Sequence, residues 1–284
     1  MGKIVSGLLV TILALSLLSI EGYAQTQSGT TVGGRYIPYG EGRVINSPTA
    51  WTKEKGSWEL GMRLFPFTFR GELGLTNYLT LGVSYGGANV FGFGSPDWNP
   101  RPAFLAKVLI TQGNSIVPAI AFGYEDQGYG PWLDTVNPFK LKKDGVSEEF
   151  NRYQVKSKGF FLVASQEYKL LGVTAIHVGI NYAITERRDE GGITAYAALE
   201  KSINPDFWFL ADYDLGLNDN SDYALGGKKG FLDLGIRWRV APEFNVEVFA
   251  MNLLQNQKDK MEALGRPDAG KWSRALSLTF KAYF

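Results

Sequence analysis

Lys271–Phe284 reads KWSRALSLTFKAYF. Trp272, Leu276, Leu278, Phe280, Ala282 and Phe284 share one parity, and Ser273, Ala275, Ser277, Thr279, Lys281 and Tyr283 share the other. Successive side chains of a strand point to opposite faces, so a period of two predicts a strand with one apolar and one polar side. An apolar last strand is legal in a soluble sandwich as well as in a membrane barrel. The rest of the chain has to decide between them.

The stretch resembles the C-terminal strand of bacterial outer-membrane β-barrels, in which a final Phe marks the chain for insertion. That resemblance gives Phe280 and Phe284 the role of an insertion signal. The opposite end agrees. Lys3 supplies a short positive region, Ile4 to Leu18 is an apolar run, and Gly22-Tyr23-Ala24 places small residues where a signal peptidase reads. This predicts a secretory signal peptide over residues 1–24, cleaved after Ala24. The run is too short for the roughly 20 apolar residues of a membrane-spanning helix. The chain has no cysteine, which excludes a disulfide framework. Formal net charge is +1, so nothing points to nucleic acid. Aromatic residues make up 14% of the chain and glycines number 34, which suits short strands and tight turns.

Residues 25–55 are a lead-in rich in Gly, Ser and Thr, expected either in the periplasm or tucked into a lumen. From residue 56 to 284 period-two segments follow one another. They centre on residues 58–64, 67–75, 79–85, 104–110, 118–124, 158–168, 176–182, 193–199, 207–215, 232–238, 244–248 and the closing stretch. The flip of parity at Pro66 favours a hairpin over one bulged strand within 57–75. The parity of 158–168 is open. Short connections (Thr76-Asn77, Gln112 to Asn114, Leu170 to Gly172, Asn204 to Asp206, Ala241 to Glu243) alternate with long ones (Gly92 to Arg101, Gln127 to Ser157, Glu186 to Gly191, Asn218 to Lys229, Gln255 to Gly270). Transmembrane barrels sort short periplasmic turns from longer outer loops in this way.

With that orientation, face-out Trp58, Tyr78, Phe207, Trp238, Phe244 and Phe284 form one aromatic girdle. Phe67, Tyr85, Phe104, Tyr124, Tyr182 and Trp272 form a second. Charges collect on the other face. Arg63, Arg70, Glu72, Lys107, Glu200, Asp212, Asp214, Asp233, Arg237, Arg239 and Glu247 are expected to make a lumen charge network, with Glu59, Glu125 and Lys281 beside them. An Arg or Lys on the lipid face near the midplane costs about 2–4 kcal/mol, so this sorting is a strong constraint. The fold class is therefore all-β: a single antiparallel transmembrane barrel of about twelve strands. It places the chain in a bacterial outer membrane, with lipid and the barrel assembly machinery as partners.

Chemistry is sparse. Without cysteine, and with His177 the only histidine, no metal-ligand spacing exists, and no cofactor is expected. Ser165 lies on the strand beside His177; a hydrolase using that pair ranks below a hydrogen-bonded structural role. The lumen charges suit a packed plug more than a solute pathway, with Arg237 and Arg239 facing Asp212 and Asp214. The loop Gln127 to Ser157 carries Tyr129, Trp132, Phe139 and Tyr153, rings that suit sugar stacking or, more simply, a loop folded over its own barrel mouth.

NSPTAW (46–51), LTLGVSYGG (79–87), PAIAFGYEDQGYG (118–130), KSKGFFLVASQEY (156–168) and ADYDLGLND (211–219) together resemble the YjbH-type outer-membrane barrels associated with exopolysaccharide production. The resemblance implies a non-enzymatic role in exopolysaccharide production, export or solute passage, with polysaccharide and periplasmic export proteins as partners. A structural or surface-interaction barrel with a closed lumen is the alternative.

Overall fold

The computed structural model describes residues 30–32, 35–37, 41–91, 95–114, 116–134, 140–143, 146–169, 171–187 and 189–284, with side chains described outside 30–37 and 140–149. The expected signal peptide, the lead-in before residue 30 and Phe139 lie outside the described residues.

Twelve strands close into one antiparallel barrel. They are β1 (Ser57–Leu64), β2 (Phe67–Thr76), β3 (Leu79–Ala88), β4 (Ala103–Thr111), β5 (Ala119–Glu125) and β6 (Gly159–Lys169). The second half is β7 (Val173–Tyr182), β8 (Ile193–Ser202), β9 (Phe207–Asp214), β10 (Phe231–Ala241), β11 (Phe244–Met251) and β12 (Ser273–Tyr283). Each pairs with the next, and β12 returns to β1 with Leu278 opposite Met62. The closing pair leaves no open edge, so every strand has a partner on both sides. The Phe284 N–H donates to the Gly56 carbonyl (2.9 Å) at the same seam. Residues 57–75 are a hairpin turning at Phe65-Pro66, as the parity flip predicts.

The barrel has a turn end, which holds Ser57 and Phe284, and a loop end. At the loop end, Tyr129–Leu133 pairs with Arg152–Val155 and Lys140–Lys143 with Val146–Glu149. A short helix α1 (Lys258–Ala263) lies in the last long loop. No helix among the described residues is long and apolar enough to cross a membrane.

The outer wall is apolar. Leu81, Val83, Phe104, Val108, Ile110, Phe122, Ile180, Ile236, Val248 and Phe280 are all exposed on it. The girdle positions Tyr78, Phe207, Trp238 and Phe284 at the turn end and Tyr85, Phe104 and Trp272 at the loop end are exposed too. The open parity of β6 resolves: Phe160 and Leu162 face out, while Phe161, Val163 and Ser165 are buried inside. Phe161 can point inward because its cross-strand partner is Gly123. A Cβ there would meet the ring at 2.4 Å. Tyr196 lies over Gly179 in the same way, with 2.3 Å to a Cβ. An aromatic ring thus fills the gap its neighbour's missing side chain leaves.

Those inward rings need apolar partners, and residues Glu41–Lys53 supply them. This segment of the lead-in runs inside the barrel. Ala50 and Trp51 pack with Leu109, Ala121, Phe161, Val163 and Tyr196. Val44 and Ile45 pack with Trp208, Leu210, Phe249 and Met251. The apolar core of this barrel is therefore inside the lumen, between the segment and the wall.

Candidate functional site: the occupied lumen

The lumen segment is a tight hairpin. The Val44 N–H donates to the Ser47 carbonyl (3.0 Å), the Thr49 N–H to the Gly42 carbonyl (3.1 Å) and the Thr49 hydroxyl to the Glu41 carbonyl (2.7 Å). Both of its legs start at the turn end. Thr52 donates to the Asn77 carbonyl and the Lys53 N–H to the Thr80 hydroxyl, each at 2.8 Å. Glu41 pairs with Lys281 and accepts from Asn245 at 3.1 Å.

Its apex, Ile45-Asn46-Ser47, reaches the loop-end half of the wall, where its partners Arg63, Asp212 and Asp233 lie. Asp212 receives the Asn46 and Ser47 N–H groups (2.8 Å each) and the Ser47 hydroxyl (2.6 Å). Asp233 accepts from the Asn46 amide and the Asn252 N–H. From β1, Arg63 donates to the Ile45 carbonyl (2.8 Å) and to the Asn46 side-chain oxygen (2.7 Å). Lys107 donates to the Gly42 and Thr49 carbonyls. The wall charges satisfy backbone groups of a turn that has too few partners of its own, as burial of such groups requires.

This corrects one expectation. Arg237 and Arg239 do not pair with Asp212 and Asp214. Arg237 is buried between Glu200 on β8 and Glu247 on β11, donating to the latter at 2.6 Å. Asp214 pairs with Lys158 (2.5 Å), and Arg239 lies over the Trp208 ring. The reason is the register: Arg237 stands opposite Trp208 on β9 and Glu247 on β11, while Asp212 stands opposite Asp233 further towards the loop end, so the arginine takes Glu247 on the adjacent strand and Glu200 beyond β9. Arg70 and Glu72 meet Arg43 of the segment instead of only each other. Arg43 and Arg70 share the Glu125 carboxylate at 2.7 and 3.0 Å.

Ser165 and His177 do come together. The Ser165 hydroxyl is 2.8 Å from His177 Nδ1, and Glu200 lies 3.6 Å from Nε2. The order resembles a nucleophile, base and orienting acid, but the group is sealed. Ser165 accepts from the Ala50 N–H (2.8 Å), the Trp51 ring meets His177 edge-on at 4.8 Å, and all three side chains are buried. A catalytic nucleophile needs a reacting atom beside it, and here the lumen segment fills that place. Among the described residues no group of His, Asp and Glu side chains is placed to hold a metal ion.

At the loop end the aromatic residues close the mouth over themselves. Trp132 and Tyr153 are buried against each other, ring centroids 4.8 Å apart, so neither face is free for a sugar. Tyr129 bonds the Ser273 hydroxyl across the mouth (3.0 Å). Arg152, also buried, holds Asp189 at 2.6 Å and Asp219 at 2.5 Å, and Lys156 meets Asp189 at 3.0 Å. Burial disfavours the Asp189 charge, but Arg152 and Lys156 outweigh it and hold the carboxyl below the usual range. Glu186 goes the other way: burial pushes it up, although Ser157, Arg152 and the Tyr153 N–H all favour its ionised form.

A cavity of about 100 Å³ remains beside the segment. It is lined from Glu59 and Thr279 near the turn end to Lys156 and Lys158 near the loop end. The residues alone leave the lead-in between periplasm and lumen because nothing in residues 41–53 has the period of a strand. The usable signal was on the wall: Phe161, Tyr196, Trp208 and Phe249 all face a lumen that charge sorting had marked as polar.

No family model and no curated protein matches the chain in sequence. Among solved structures it is similar to the KdgM porin, at 10% identity and a TM-score of 0.41, over 80% of this chain and 99% of that one. It is also similar to the NanC porin, at 10% identity and a TM-score of 0.41, over 80% and 98%. A third, OmpT of Vibrio cholerae, is 8% identical with a TM-score of 0.28, over 82% and 99%. Values this low describe a loose likeness of barrel shape, and nothing about solute or partner follows from them.

Proposed function

We propose that this chain is a non-enzymatic outer-membrane channel held shut by its own residues 41–53, which passes a hydrophilic solute when that hairpin shifts. The belt of exposed apolar side chains suits a hydrocarbon surround. The observation that carries the channel reading is the cavity beside the hairpin, which reaches towards both ends of the barrel along charged and polar walls. The resemblance to exopolysaccharide-associated barrels supplies the finer reading, a surface or secreted glycan as the solute, delivered by periplasmic export proteins. Export by a signal peptide cleaved after Ala24, and insertion by the assembly machinery, belong to the same proposal.

The second reading is a permanently closed structural barrel. Its support is the burial of Val44, Ile45, Ala50 and Trp51, at 0–6% exposure, against wall residues on several strands. Planar-bilayer recording separates the two. The channel reading expects brief openings of the wild-type protein under voltage, and steady ohmic conductance when residues 42–50 are replaced by a short Gly-Ser linker. A wild-type barrel that stays silent at every voltage, beside a conducting linker variant, would establish the structural reading instead.

A further inference from the structure

We infer that the cavity beside the lumen hairpin is a binding site for a small oxyanion, held by Arg43, Arg63 and Arg70. These three guanidinium groups come from the hairpin, from β1 and from β2, and all line the same space. Their charge is under-compensated. Arg43 and Arg70 both donate to one oxygen of Glu125, and Glu72 stands 3.8 and 3.9 Å from them. The enclosed Arg43 Nε has no hydrogen-bond partner among the described residues. Arg63 has no carboxylate within 4.0 Å among those residues. Carbonyl oxygens hold it, with the rings of Tyr129 and Phe249 at 5.9 and 5.4 Å. Lys107, behind them, gives its protons to two carbonyls.

Together with Lys53, five cations on this side of the lumen meet the carboxylates of Glu41, Glu59, Glu72 and Glu125, and Glu41 is itself paired with Lys281. The acids across the cavity are already engaged: Asp212 holds the hairpin apex, and Asp233 accepts from Asn46 and Asn252. A cation excess removed from bulk water is unfavourable until an anion joins it. Guanidinium forks match the paired oxygens of a carboxylate or a phosphate. Lys156 and Lys158 line the cavity towards the loop end, each paired with a carboxylate, Asp189 and Asp214, so that end adds no net negative charge on the entry side. The ligand chemistry is thus a carboxylate or phosphate group, carried by a sugar acid or present as free phosphate. The site stands whether or not solute crosses the barrel.

The test uses the full chain folded in a detergent free of oxyanions at low ionic strength. Sodium phosphate, sodium glucuronate and sodium chloride are titrated at matched ionic strength, read by calorimetry and by the midpoint of the heat-induced gel-mobility shift. We expect saturable binding of at least one oxyanion and a higher midpoint than with chloride. Binding should weaken at least tenfold in Arg43→Gln and Arg70→Gln and stay unchanged in Arg239→Gln. Response to phosphate alone assigns the site to free phosphate, and response to glucuronate alone to a sugar acid. Should the variants fail to fold, the wild-type comparison with chloride decides. Equal effects of chloride and both oxyanions, or wild-type affinity in a folded Arg70→Gln protein, would overturn the assignment.

Discussion

Arg237 shows what a single buried charge does here. It is 2% exposed and lies between Glu200 and Glu247. Taking two partners out of water is costly, and it is offset only while both hydrogen-bond to the cation. Removing the arginine leaves two buried carboxylates facing each other. Arg237→Ala should therefore destabilise the folded barrel by about 3–5 kcal/mol, the range for breaking a buried pair. Denaturant unfolding in detergent checks it. A loss under about 1 kcal/mol, the range for a screened exposed pair, would mean that water reaches Glu200 and Glu247.

The elements at the loop end depend on a different balance. Arg152 lies in a segment paired with Tyr129–Leu133, and its guanidinium joins that segment to Asp189 and Asp219 in two other loops. Because Asp189 is held below its ordinary value of 3.8, the folded state binds fewer protons than the unfolded one in acid. Its contribution is present in full above that ordinary value and is lost as the pH falls through the folded value. Glu186 has the opposite sign: burial raises it, so acidification through its folded value relieves the loop. Limited proteolysis within residues 134–151 should thus accelerate in the wild-type protein as the pH is lowered below about 4, where an ordinary aspartate titrates. Asp189→Asn should be cleaved faster than wild type at pH 7, with a flatter acid response. Identical pH profiles for the two proteins would show that Asp189 does not hold the loop. The hairpin of residues 41–53 is the other element that matters, since it turns a hollow cylinder into a packed one.

At the scale of the whole molecule the seam between β12 and β1 closes every backbone hydrogen bond on itself, which is what a barrel in hydrocarbon requires. Phe284 sits at that seam with its N–H bonded to Gly56 and its ring 91% exposed at the turn-end girdle. Deleting Phe284 removes one seam hydrogen bond and one interface ring but leaves twelve paired strands. We expect lower outer-membrane yield with periplasmic degradation, while the protein that does assemble keeps its heat-dependent gel mobility. Unchanged yield at native expression would make Phe284 a girdle residue alone.

Alternation of apolar and polar residues, loop lengths and the sorting of charge are one-dimensional properties. They carried the strand number, the closed antiparallel order, the two ends of the barrel and the inward side of Arg63, Glu200 and Arg237. Each strand's two faces meet different surroundings, so the residue pattern records them locally. What fills the lumen is not a local matter. Ser47 finds Asp212 across 165 residues of sequence, and no periodicity in the segment announces the contact. The same holds for the choice of partner among many inward charges. Arg237 was expected against Asp212 and instead takes Glu200 and Glu247, because the register of β9, β10 and β11 sets it opposite Trp208 and Glu247 and sets Asp212 opposite Asp233. Which side faces in follows from the solvent on either face; which inward groups meet follows only from the shape that the closed barrel and its occupant make together.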